Sequence, residues 1–186
     1  MSVSKEQLKK IKSKYQYLSS WAIWATEGET PKSNVGDLTI LDPECNKNLL
    51  SQLNTEVVFV ALNISRGDIK TPFGNFHDHR PAATDFKIRF ALKDTPFWGG
   101  YMTDIIKFHP EVNSTAVLRY FNKNPQELKS HFDHFKQEIT DLGTTENTQV
   151  IALGVLAYKL LLKAKLSNKL FKLTHYSSPT LSKLAY

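Results

Sequence analysis

Three polar residues stand at or near the ends of apolar runs in this chain. Asn63 follows Val57-Val58-Phe59-Val60-Ala61-Leu62, Asp104 falls within Tyr101 to Ile106, and His175 follows Phe171 to Thr174. If the runs are parallel strands, all three side chains sit towards the carboxyl edge of one sheet. That is where open α/β sheets bind ligands, so the groups would converge on one crevice. Each also has an ordinary reading: Asn63 as a turn residue, Asp104 as a cap or ion-pair partner, His175 as a hydrogen-bonded loop residue. A second cluster, His77-Asp78-His79, would suit a metal-dependent hydrolase, but adjacent positions lack a usual ligand geometry. With Cys45 the one cysteine, no intrachain disulfide, thiolate zinc site or iron–sulfur cluster can form. No cofactor and no metal are expected.

The elements that must position these residues follow from periodicity. Val57 to Leu62 is short, continuous and β-branched, the signature of a strand buried on both faces. A loop rich in special residues follows (Asn63, Ser65, Gly67, Asp68, Pro72, Gly74), then a helical stretch with Phe86 and Phe90 four apart. A second strand is predicted at Tyr101 to Ile106, entered from Gly99-Gly100. Leu128, Phe132, Phe135 and Ile139 form a helical stripe opened by Asn124-Pro125. The third strand is Gln149 to Leu153, running into Gly154 and a helix through Leu156, Leu160 and Leu161. The fourth is Phe171 to Thr174. Upstream, Ile11, Tyr15, Leu18, Ala22 and Ala25 recur at helical spacing, and a short helix is expected around Leu49, Leu50 and Leu53.

Strands alternating with helices predict an α/β fold: three layers, α/β/α, around a mainly parallel four-stranded sheet. The chain of 186 residues, 41% hydrophobic and 11% aromatic, suits one compact domain over 1–186. Residues 1–53 would form an N-terminal helical region and 57–181 the core motifs. A net charge of +6 fits a polyanionic partner. Lys9, Lys10, Lys12 and Lys14 read as a solvated helix face. Met1 to Tyr17 is polar and lysine-rich, without an apolar run of signal or membrane-spanning length. A cytoplasmic protein, a monomer with no membrane association, is the expectation.

Three segments carry a resemblance. Val58-Phe59-Val60-Ala61-Leu62-Asn63-Ile64-Ser65, Tyr101-Met102-Thr103-Asp104-Ile105-Ile106-Lys107 and Leu173-Thr174-His175-Tyr176-Ser177-Ser178-Pro179 resemble, in order, the motifs of the uracil-DNA glycosylase superfamily. The likeness spans roughly Val57 to Leu181. It implies a monofunctional DNA glycosylase that flips a non-standard pyrimidine out of DNA and hydrolyses its bond to the sugar. Asn63 would then hold the attacking water and His175 would stabilise charge on the departing base. An aromatic, Phe76 or Phe73, would stack on the flipped base. Tyr176 or Leu181 would hold the gap in the duplex, Ser177 belongs to the same DNA-facing motif, and Lys172, Lys183 and Arg66 would meet phosphates.

Two departures bear on the base. Where the family reads uracil with an asparagine, this chain has Asp104, and an ionised carboxylate accepts only, suiting a cytosine amino group. Where strict uracil enzymes carry a tyrosine, Ser65 leaves room at C5. Together they imply a 5-substituted cytosine, such as the glucosylated hydroxymethylcytosine of phage DNA that some bacterial members excise in antiviral defence. Arg66, Asp68, His77 or His79 would recognise the C5 group. The chain also lacks the family's proline after Asn63 and has an extra residue in the His175 segment. Uracil repair and an inactive DNA-binding module are the alternative readings.

Overall fold

The apolar runs become the strands of one five-stranded sheet in the computed structural model, which describes residues 3–65, 67 and 69–178. Helix α1 (Lys5–Tyr15) is capped by Ser4, whose side chain accepts from the Gln7 N–H. There follow β1 (Ser19–Trp21), a 3₁₀ turn (Leu38–Leu41), α2 (Leu49–Gln52) and β2 (Asn54–Asn63). Then come α3 (Asp85–Leu92), β3 (Gly100–Ile106), α4 (Ser114–Lys123) and α5 (Pro125–Asp141). The last elements are β4 (Gln149–Leu153), α6 (Val155–Ala164) and β5 (Lys169–Leu173).

The strand order is β1-β3-β2-β4-β5, parallel throughout except that β1 runs antiparallel to β3. The sheet therefore has five strands where the sequence predicts four. The extra strand lies inside the predicted N-terminal helical stripe. That helix stops at Tyr15, and Ser19-Ser20-Trp21 pairs with Tyr101-Met102-Thr103. The reason is burial on every side: Trp21, Ala22, Ile23 and Trp24 are all at most 3% exposed, which a one-sided surface helix cannot supply but an element against a sheet can. Helix α4, which the spacing argument does not single out, is started by Asn113, whose carboxamide oxygen accepts from the Thr115 and Ala116 N–H groups.

Alternation along the strands splits the core in two. Val58 and Val60 of β2, Tyr101 and Ile105 of β3 and Val150 and Ala152 of β4 pack with residues of α1, α4, α5 and α6. Val57, Phe59 and Ala61, Met102, and Ile151 and Leu153 face the other way, against Ile88 and Leu92 of α3 and the segment around Trp24 and Phe76. Each fully buried large side chain contributes about 1.5–3 kcal/mol, so both faces are needed to hold the sheet. Among the described residues, no helix is long and apolar enough to cross a membrane.

The chain leaves β2 to form β3 on one side and returns to form β4 on the other. Its direction of winding thus changes between β2 and β4. In such sheets the ligand crevice opens beyond the carboxyl ends of those two strands.

Candidate active site at the carboxyl edge of the sheet

Asn63 is the last residue of β2, which with β4 flanks the change of winding. Its Nδ2 donates to the carbonyls of His109 (3.1 Å) and Glu111 (2.8 Å), in the loop that follows β3. Two carbonyl partners fix which end of the amide is nitrogen, since a flipped amide would set oxygen against oxygen. Both N–H groups are used, and Oδ1 carries no hydrogen bond among the described residues. The side chain is thereby a lone acceptor, half-buried at the carboxyl end of β2. The loop that holds it is anchored in turn: the His109 ring lies 4.4 Å from that of Tyr120 and 5.1 Å from that of Phe121 on α4.

His175 follows β5 by two residues. Its Nδ1 receives the Ser177 backbone N–H at 3.1 Å and lies 2.8 Å from the Ser177 hydroxyl. A backbone N–H can only donate, so Nδ1 is the bare nitrogen and the ring proton sits on Nε2. Burial holds the imidazole below its ordinary pKa, favouring this neutral form. Neighbouring Gly154, at the end of β4, has φ +100°, and a Cβ there would lie 3.5 Å from the His175 Cβ. Its N–H donates to the Leu173 carbonyl at 2.8 Å, tying the ends of β4 and β5 together. Since β4 alone separates β2 from β5, Asn63 and His175 rise from strands roughly 10 Å apart.

Asp104 lies beside Ala61 of β2, on the face of Phe59 and Met102, and is 2% exposed. Asn75, in the loop after β2, donates to its Oδ2 at 2.8 Å. Burial pushes the carboxyl up to about 6, while the Asn75 hydrogen bond and the Lys107 ammonium pull it down. Asp85, at the start of α3, is also pushed up to about 6 by burial, and the Asp78 N–H (2.7 Å) and the Tyr176 hydroxyl stabilise its anion. The Tyr176 ring stacks on His175 at 4.4 Å. Burial, then the Asp85 and Asp104 carboxylates, hold its phenol well above the ordinary value. Tyr176 is thus turned inward, its hydroxyl tying the β5 end to Asp85 at the start of α3.

The remaining sequence candidates are spread more widely. Phe76 is buried at 7% with φ 64° in the same cluster as Tyr176, whereas Phe73 (φ 56°) packs in the opposite one. Ser65 is half-buried two residues beyond Asn63. His77 lies 5.2 Å from the Trp24 ring, with Nδ1 3.3 Å from the Val35 carbonyl, and burial pushes its pKa down to about 4. Asp78 binds Arg80 and His79 is exposed beside Gly36, so the three neighbours go separate ways. Among the described residues no group of three or more His, Cys, Asp or Glu is placed to hold a metal ion.

Ser177 and Lys172 are exposed, the latter with Nζ 5.7 Å from the centre of the Tyr158 ring. Arg66, Asp68, Leu181 and Lys183 lie outside the described residues. Asn75 and Asp85 escaped the sequence reading because a loop Asn and a first-turn Asp read as ordinary turn and cap residues. Phe108 escaped it too: it follows Lys107 beyond β3, is 68% exposed, and lines a cleft of about 280 Å³ with Ile64 and Tyr17. No protein-family model, no curated protein and no solved structure matches this chain.

Proposed function

We propose that this chain is a monofunctional DNA glycosylase with the three-layer uracil-DNA glycosylase fold, hydrolysing the bond between a flipped-out pyrimidine and its sugar. The observation that carries the reading is the polarity of two fixed groups at one sheet edge. Asn63 is held by two carbonyls so that only its oxygen is free, and His175 is held by the Ser177 N–H so that its proton is on Nε2. An acceptor that grips a water and a donor that meets a departing anion are what hydrolysis of an N-glycosidic bond requires. The water oxygen bonds to the sugar carbon as the bond to the base nitrogen breaks. The electron pair leaves with the base, and the Nε2–H stabilises it. The water's proton passes to solvent, since a carboxamide does not take it.

The substrate is a cytosine with a group on C5, of the kind found in glucosylated phage DNA, and the biological role is antiviral defence. Asp104 supports this, because at neutral pH a carboxyl with pKa about 6 is mostly ionised and offers only acceptors to the base edge. The test is a mass-spectrometric search for free base released from unmodified, uracil-containing and hypermodified viral DNAs. Release of modified cytosine by the wild type, lost in Asn63→Ala, is the expected result. Efficient release of uracil moves the reading to repair. Binding without release of any base moves it to an inactive module, and equal activity of the variant removes Asn63 from the mechanism.

A further inference from the structure

Asp104 does not act by itself. The Asn75 Nδ2 donates to Asp104 Oδ2 at 2.8 Å and to the Leu18 carbonyl at 3.3 Å. Both partners are oxygens without a proton to give when the carboxyl is ionised, so the amide can face them only with its nitrogen. Its two N–H groups are then used, and the Asn75 oxygen is left as an acceptor. Asp104 Oδ1 likewise carries no hydrogen bond among the described residues. Lys107, the cation whose charge favours the Asp104 anion, is buried and bound to Thr103 and to Glu138 Oε2 (2.6 Å) on the other side of the sheet.

We infer that Asn75 is a positioning residue for base specificity: by spending both amide protons on Leu18 and Asp104, it makes the pair an acceptor-only edge that selects pyrimidines bearing an amino group. The inference rests on the glycosylase reading above and goes beyond it, because it assigns the choice of base to a side chain outside the three motifs. An exocyclic amino group carries two N–H donors and meets this edge favourably. A uracil or thymine edge presents a carbonyl there, and oxygen faces oxygen. A site whose buried polar groups are left unpaired or opposed by the wrong substrate discriminates by about 10⁴-fold or more in the best cases. Removing Asn75 takes away the hydrogen bond that most favours the Asp104 anion. The carboxyl then takes up a proton more readily, becomes a donor, and tolerates a carbonyl.

The experiment compares kcat/KM for base release from single-site oligonucleotides carrying 5-hydroxymethylcytosine, its glucosylated form or uracil. It uses wild type, Asn75→Leu and the smaller Asn75→Ala. The ratio of cytosine-type to uracil release is the readout, because damage to the fold lowers both rates together and leaves their ratio unchanged. A fall in that ratio of at least about tenfold in either folded variant is expected. An unchanged ratio overturns the inference while leaving the glycosylase reading intact, whereas a wild type that releases none of these bases overturns that reading first. If neither variant folds by circular dichroism, Asp104→Asn decides. It restores a donor at the same size, and a ratio equal to that of wild type overturns the acceptor-only edge.

Discussion

A carboxamide whose nitrogen is fully engaged and an imidazole whose proton is assigned by a backbone donor leave little freedom to the chemistry at this edge. On the proposed glycosylase reading, Asn63→Ala is expected to lower kcat by about 100-fold with KM nearly unchanged, since it removes positioning rather than binding. Abasic-site formation under single turnover measures it. His175→Ala is expected to cost about 100- to 1000-fold in the same assay, the scale of losing one preorganised donor. Asp104 carries a pH prediction of two parts. Its pKa rises from 3.8 to about 6 in the folded chain, so release of an amino-bearing base should fall as pH drops below about 6, where the carboxylate takes a proton. For stability the sign is opposite. The folded chain holds that proton more tightly than the unfolded one, so the associated stability is whole below about pH 4 and lost as pH rises through about 6. Asp104→Asn fixes the neutral form and should gain about 3 kcal/mol at pH 8 and almost nothing at pH 4, as read by urea denaturation at the two pH values.

Elements hold these residues through a few close contacts. Between α2 and β3, Gly99 has φ +79° and its missing Cβ would fall 1.8 Å from the Gln52 carbonyl oxygen. Gly99→Ala should therefore cost at least about 3 kcal/mol, from backbone strain and the clash together, and lower the thermal midpoint accordingly. Helix α5 is fastened to β3 by buried charge: Glu138 Oε1 accepts from Tyr101 and Thr103 at 2.8 Å each, and Oε2 lies 2.6 Å from Lys107 Nζ. Glu138→Leu leaves the ammonium buried without a counter-charge and should cost about 3–5 kcal/mol, whereas adding Lys107→Met should recover most of it. Denaturant unfolding of the single and double variants checks both.

At the scale of the whole molecule, net charge and topology work together. On the proposed reading, this chain of net charge +6 binds DNA through phosphates and releases counterions. Affinity for a duplex should then fall by at least about tenfold between 50 and 200 mM salt, measured by fluorescence anisotropy. A salt-independent affinity would argue against a phosphate-tracking surface. The winding change between β2 and β4 puts the expected ligand crevice at the centre of the sheet, and the parallel strands β2, β3, β4 and β5 all end at that edge.

Much of this frame was legible beforehand. The runs of Val57 to Leu62, Tyr101 to Ile106 and Gln149 to Leu153 are short, largely apolar and rich in β-branched residues, as buried strands are. Asn63, Asp104 and His175 stood out because they share one sheet edge, which weighs against the ordinary reading each has by itself. The edge strand at Ser19 was hidden, since three residues carry no period and their burial depends on partners 80 to 84 positions away, Ser19 on Thr103 and Trp21 on Tyr101. So was the role of Asn75, whose meaning lies in contacts to Asp104 and Leu18 that no local pattern encodes. Local sequence determined which segments become strands and helices, because side-chain periodicity and steric preference act over a few residues. Tertiary structure alone decided which way each amide points, where the imidazole proton sits and how far burial lifts a carboxyl, because hydrogen bonds and desolvation are set by neighbours distant in the chain.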